Sequence, residues 1–200
     1  GITATMTDSP GHHYNNYYSI RVTLTGPVVT RSQWNSVNPG RIARPSLPQV
    51  FELVGRDSSG NAVVKYGFEL KQWFINRGNK RAWGNGDWCT SIGGYRNVKV
   101  QDLTNASCQG VGANSSTCRS ATPTSPDDEM RRHIGAGFFT EWGAMGYYTA
   151  GFYDSYVTTD GNGREFARRG FFEVHSGNGR VSEVFSYYEG NKGNVACVYP

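Results

Sequence analysis

Two hundred residues, 37% apolar and 14% aromatic, suit one domain or one domain plus part of a neighbour, with a core built from rings more than from Leu. The formal charge of +4 is mild, and its carriers are scattered (Arg77, Lys80, Arg81; Arg131, Arg132; Arg164, Arg168, Arg169), which argues against the dense basic face of a nucleic-acid binder. No apolar run approaches the length of a membrane span.

Leu is scarce while Tyr, Phe, Val and Thr are common, so strands should outnumber helices. Residues 1–30 hold two strand-like runs, 2–7 and 18–25, parted by the turn signal Asp8-Ser9-Pro10-Gly11. In the second run Ile20, Val22 and Leu24 share a face. The opening run reads as a strand cut from a longer chain and Cys197-Val198-Tyr199-Pro200 as a natural end, so the expectation is a C-terminal fragment. Pro39, Pro45 and Pro48 mark 35–48 as an extended connector. Residues 49–54 and 62–70 flank Asp57-Ser58-Ser59-Gly60-Asn61 as a hairpin, and 70–75 continues as strand or turns toward a helix.

The first helix candidate is 80–92, with Trp83, Trp88 and Ile92 near one face and Gly93-Gly94 as the stop. A short second helix is expected over 101–106, followed by a polar loop over 109–125. A third is expected after Ser125-Pro126, with Ser125 as cap and Asp127, Asp128 and Glu129 complementing the dipole of the first turn. It would run through Met130 and Ile134 toward Trp142. Strands return over 147–157, 165–175, 181–188 and 195–198, joined by turns rich in Asn and Gly. Strands, then helices, then a meander of hairpins make an α+β fold with an antiparallel sheet.

Four cysteines permit three pairings. Cys108 and Cys118 bracket a short Gly, Asn and Ser loop, which favours a local bridge and leaves Cys89 for Cys197. Two bridges imply an oxidising compartment; the alternative is four free thiols in a reducing one. The spacing does not suit a zinc site, since no pair has the Cys-x2–4-Cys separation.

The runs Phe68-Glu69-Leu70-Lys71-Gln72-Trp73-Phe74-Ile75-Asn76-Arg77-Gly78, Trp88-Cys89, Gly94-Tyr95, Phe139-Thr140-Glu141-Trp142-Gly143-Ala144-Met145-Gly146 and Ala196-Cys197-Val198 carry a likeness. Together they resemble the C-terminal lectin-like domain of invasin and intimin family adhesins, with the closest look to the invasin D-type branch of these inverse autotransporters. The resemblance implies a C-type-lectin-like domain over 65–200, with an antiparallel sheet, two or three short helices and long loops. Additional strands over 1–64 would precede it, as the tail of an immunoglobulin-like stalk domain or an extension of the tip. A helix-to-last-strand disulfide is the staple of such domains, which suits Cys89 with Cys197. The resemblance further implies an outer-membrane barrel anchor upstream, a place at the bacterial cell surface, and non-covalent, calcium-independent attachment to a host protein. That partner is a receptor or a soluble protein such as an antibody.

Sugar-binding lectins of this fold hold calcium with Glu-Pro-Asn or Gln-Pro-Asp and then Trp-Asn-Asp. Neither set occurs, and Gly86-Asp87-Trp88 has the wrong order, so no cofactor or metal is expected. A glycan-binding module remains the alternative. His12, His13, His133 and His175 lack the partners that catalysis or a metal needs. Glu141, Glu173 and Glu183 would have to share a cleft to serve a glycosidase, and no nucleophile or phosphate-loop motif accompanies them, so the chain does not read as an enzyme.

Trp73, Phe74, Trp83, Trp88 and Trp142 read as core. Tyr147, Tyr148, Phe152, Tyr153 and Tyr156 are too many for one buried face, because strand neighbours point to opposite sides. The expected partner-binding residues are therefore Tyr147, Tyr148, Tyr153, Tyr156, Arg164, Arg168, Arg169 and Phe171, Tyr and Arg being types enriched at interfaces. The alternative is that Arg168 and Arg169 merely solvate a strand edge.

Overall fold

A computed structural model describes residues 1–9, 19–81, 88–106, 134–142, 151–161, 170–177, 179–185 and 192–200. Strands β1 (Thr3–Ser9) and β2 (Ser19–Thr25) pair antiparallel, Thr3 opposite Thr25. Helix α1 (Arg31–Asn35) follows, a turn that the connector reading passes over. Its signal is Thr30-x-x-Gln33: the Thr30 hydroxyl accepts from Gln33 N at 3.3 Å and the Gln33 amide oxygen accepts from Thr30 N at 3.0 Å. The expected hairpin forms from β3 (Gln49–Arg56) and β4 (Ala62–Leu70). Asp57 closes its loop by accepting from Ser59 N and Asn61 N at 2.9 and 2.8 Å.

The main sheet is built from β5 (Trp73–Arg81), β6 (Arg96–Asn97), β7 (Ser155–Gly161), β8 (Gly170–His175), β9 (Val181–Phe185) and β10 (Lys192–Tyr199). Its order is β5-β10-β7-β8-β9, with β6 also on β10. The described chain is thus mostly sheet with few short helices, an α+β arrangement. The sheet is not wholly antiparallel, however: β10 runs parallel to β7 through Asn194 and Tyr156. The reason is geometric. β10 is antiparallel to β5, and β5 and β7 run in opposite directions, so the strand between them must be parallel to one.

The central place of β10 explains its sequence. Val195, Ala196, Cys197 and Val198 are all buried, a continuous run in place of alternation, because both faces of the strand are covered. Ala196 and Val198 enter a core with Val98, Leu103, Phe139, Phe152, Tyr156, Phe172, Val174 and Val181. Val195 and Cys197 enter a second core with Ile75, Trp88, Cys89, Ile92 and Tyr95. The first is capped by α3 (Val100–Leu103) and α4 (Phe138–Trp142), the second by α2 (Trp88–Ser91).

Helix boundaries depart from expectation. Lys80 and Arg81 belong to β5, and the first core-facing helix begins only at Trp88. The second is Val100–Leu103, ending before Thr104. The start of the expected third helix, at Ser125, lies outside the described residues, and Ile134 sits in a turn. Gly135 (φ 78°) and Gly137 (φ 92°) take left-handed backbone that interrupts a helix, so α4 starts at Phe138. Of the strand expected over 147–157, residues 147–150 lie outside the described residues; Asp154 (φ 58°) interrupts extended backbone, and β7 starts at Ser155.

The segment before the main sheet is fastened to it. Trp88 donates its indole N–H to Ser36 O at 3.0 Å, Tyr95 its hydroxyl to Ala43 O at 3.3 Å, Ile42 N pairs with Ile92 O at 2.9 Å and Arg44 Nε with Gly93 O at 3.0 Å. The expected division at 64/65 falls inside β4, which pairs with β3.

Candidate functional site

The Cys89–Cys197 disulfide joins α2 to β10, Cα to Cα 5.4 Å, across 108 residues of sequence. It ties the second, lower core around Ile75, Trp88 and Ile92 to the central strand β10. Cys108 and Cys118, the other expected pair, lie outside the described residues.

A cavity of about 350 Å³ opens between β2, the lead into β5, and α4. Leu24, Val28, Val29, Leu70, Trp73, Phe74, Ile75, Phe138, Trp142 and Phe152 supply apolar walls, and Gln72 and Asn76 the polar ones; among the described residues no charged one lines it. The walls are held from behind. Phe74 stacks on Phe138 at 4.3 Å, Phe138 meets Phe152 edge-on at 5.0 Å, and Trp73 donates its indole N–H to Pro27 O at 2.7 Å. Gln72 donates to Asp102 Oδ1 at 3.3 Å. Asn76 donates to Gly151 O at 2.6 Å and its Oδ1 accepts from Gly78 N at 2.7 Å and the Tyr156 hydroxyl at 3.2 Å. A neutral, apolar, pre-formed concavity suits a hydrophobic group.

An aromatic row leads out of the cavity. Trp142 meets Phe68 edge-on at 6.0 Å; Phe68 stacks on Phe51 at 5.2 Å and leans on Tyr66 at 5.9 Å. The row follows one face of the β3–β4 hairpin, where Phe51 opposes Phe68, Leu53 opposes Tyr66 and Gly55 opposes Val64. Its inner end is buried, but Tyr66 and Val64 are each 53% exposed. The other face carries the Lys65–Glu52 ion pair at 3.3 Å and meets water. Sequence reasoning found the hairpin but not this face, whose signal was the alternation Val64, Tyr66, Phe68, Leu70.

The expected partner-binding residues separate. Tyr153 is 56% exposed, just ahead of β7. Tyr156 is 1% exposed and is no contact residue: alternation along β7 turns it and Thr158 into the core, where Phe139 and Phe152 lie 5.4 Å away ring to ring. Burial, opposed by its hydrogen bonds, pushes the Tyr156 phenol well above its usual range. Phe171 is half-buried on β8, pointing away from its buried neighbour Phe172. Tyr147, Tyr148, Arg164, Arg168 and Arg169 lie outside the described residues, as does Trp83.

Glu141 accepts from Gly135 N at 3.1 Å and Glu173 from the Ser182 hydroxyl at 3.0 Å, each engaged beside its own element. His175 takes Gly177 N at 3.2 Å, while His12, His13 and His133 lie outside the described residues. Among the described residues no three His, Cys, Asp or Glu side chains gather as a metal site, and no helix is long and apolar enough to cross a membrane. No protein-family model, no curated protein and no solved structure matches this chain.

Proposed function

We propose that this chain is the lectin-like tip of a bacterial surface adhesin of the invasin and intimin type, attaching non-covalently and without calcium to a host protein. The observation that carries this reading is the Cys89–Cys197 bridge from α2 to the central strand β10. It is the staple implied by the sequence resemblance, and it makes a rigid platform of the kind that binding without large rearrangement requires. The contact is the apolar cavity with its aromatic row, together with Tyr153 and Phe171 and the sequence-assigned Tyr147, Tyr148, Arg164, Arg168 and Arg169. A partner's hydrophobic side chain enters the cavity as an anchor, while exposed Tyr and Arg form the surrounding rim. A receptor or a soluble protein such as an antibody fits equally.

A glycan is the second reading, favoured by two exposed tyrosine rings, Tyr66 and Tyr153, that offer faces for a sugar to stack on. Capture separates the two. The oxidised protein is immobilised, and host membrane extract or mucosal secretion is passed over it with and without EDTA. One dominant protein, retained in EDTA and after deglycosylation, is the expected result. A mixture of glycoproteins released by EDTA or free saccharide would overturn protein-directed adhesion in favour of a lectin.

A further inference from the structure

Arg77 stands on β5 and is 4% exposed, the only arginine that the structure buries so deeply among the described residues. Its Cζ lies 4.5 Å over the Trp88 ring. The indole covers one face of the guanidinium, which suits a cation–π contact. The N–H donors, however, point outward in the guanidinium plane, where a stacked ring cannot accept them. Nε and Nη1 are both buried and have no hydrogen-bond partner among the described residues.

No ion pair among the described residues includes Arg77: these join Lys65 to Glu52, Lys71 to Glu69 and Arg96 to Asp102. The contrast with Arg96 is instructive. Both arginines sit on strands that pair with β10, and the Arg96 side chain is 35% exposed, yet Arg96 receives a carboxylate through two bonds. The more deeply buried Arg77 receives none. A guanidinium cannot escape by neutralising itself, because it holds its proton at any ordinary pH. A buried charge without a counter-charge is among the costliest arrangements a fold can contain.

We propose that Arg77 holds a small monovalent anion in the plane of its guanidinium, beside the Trp88 ring, as a built-in counter-charge of the lower core. One buried positive charge against the Trp88 ring selects a small monovalent anion, a halide or formate-sized carboxylate, over a divalent one. The site is separate from the cavity, whose lining does not include Arg77.

The test uses the oxidised wild-type protein with chloride as probe, replacing gluconate at constant ionic strength. Chloride is expected to raise the thermal midpoint saturably, as a ligand of the native state does. It should also shift the Arg77 Nε–H resonance with the same half-saturation, and the dependence should vanish in Arg77→Met. If Arg77→Met does not fold, the resonance titration of the wild-type protein decides alone. An unmoved resonance, or an equal chloride dependence in a folded Arg77→Met, would overturn the proposal. So would a resonance that ignores chloride but moves in Asp87→Asn, because a carboxylate next to Trp88 in the sequence would then be the counter-charge.

Discussion

Asp102 grips Arg96 through two parallel bonds, Nη1 to Oδ2 at 2.6 Å and Nη2 to Oδ1 at 2.8 Å. The same carboxylate accepts from Lys99 N at 2.7 Å and from Gln72 at 3.3 Å, so it joins the start of α3, strand β6 and the polar wall of the cavity. Burial alone would raise its pKa, but the Arg96 hydrogen bonds, the Lys99 N–H and the Arg96 charge outweigh burial and hold it below the ordinary carboxylate value. With the folded value below the unfolded one, about 3.9, this contribution is complete above about pH 4 and disappears as pH falls through the folded value. Asp102→Ala should cost about 3 kcal/mol at neutral pH, the low end for a broken buried pair because Arg96 is partly exposed. Urea unfolding at pH 7 and pH 3 checks this: the gap between wild type and variant should narrow in acid, and a constant gap would refute the assignment.

Tyr153 and Tyr156 lie three residues apart with opposite fates, 56% and 1% exposed. Tyr153→Ala should leave stability within about 0.5 kcal/mol of wild type. Tyr156→Ala should cost about 3–5 kcal/mol, as large-to-small core changes do. Tyr156→Phe should cost only about 1 kcal/mol, because Asn76 Oδ1 keeps its bond from Gly78 N. Chemical denaturation of the three variants measures the order, and in capture only Tyr153→Ala is expected to weaken binding while remaining fully folded.

How much of this was readable from the residues depends on where the physics is local. The β3–β4 hairpin was readable because Asp57, Gly60 and Asn61 specify the loop and apolar residues flank it. The Cys89–Cys197 pair was readable by weighing loop lengths. The fate of Tyr156 was not, because the phase of alternation depends on where β7 starts, and Asp154 with its left-handed backbone sets that start. The parallel pairing of β10 with β7 was hidden for a similar reason: it is a property of sheet order, not of any segment. The cavity was least accessible, since Leu24, Val28, Trp73, Phe138 and Phe152 meet only in the folded chain.

Gly137 marks how closely α4 approaches α3. With φ at 92°, a Cβ there would lie 2.4 Å from Thr104 N and 2.6 Å from Leu103 C, both backbone atoms that cannot swing aside. Gly135 has φ 78° but open space around it. Gly135→Ala should therefore cost about 1–2 kcal/mol for left-handed backbone alone. Gly137→Ala should cost clearly more, from strain and clash together. Thermal unfolding of both variants measures the difference, and equal midpoints would show that α3 and α4 are not in this contact.

Val28 is 69% exposed yet lines the cavity, so it stands at the rim. Val28→Arg places a charge where a partner's apolar anchor would have to be desolvated, without disturbing any buried contact. Stability should stay within about 0.5 kcal/mol. Affinity for the captured protein should fall at least tenfold, about 1.4 kcal/mol. Surface plasmon resonance against the captured partner reads this directly, and unchanged affinity would move the contact away from the cavity.

The Cys89–Cys197 bridge closes a loop of 108 residues, which in the chain-entropy model removes about 4–5 kcal/mol of unfolded-state freedom. The proposed Cys108–Cys118 bridge would close a loop of about ten residues and contribute only about 2–3 kcal/mol. Peptide mapping under non-reducing conditions should recover both pairs. Cys89→Ser should then lower stability by about 2 kcal/mol more than Cys108→Ser. The long bridge also fixes α2 to β10, and with it the Trp88 ring beneath Arg77, so Cys89→Ser should loosen the lower core first. Hydrogen exchange should show early loss of protection at Ile92 and Val195 while Val174 and Val181 on the other core stay protected. Uniform loss across both cores would mean that the bridge stabilises the whole domain through its unfolded state and carries no local role in the platform.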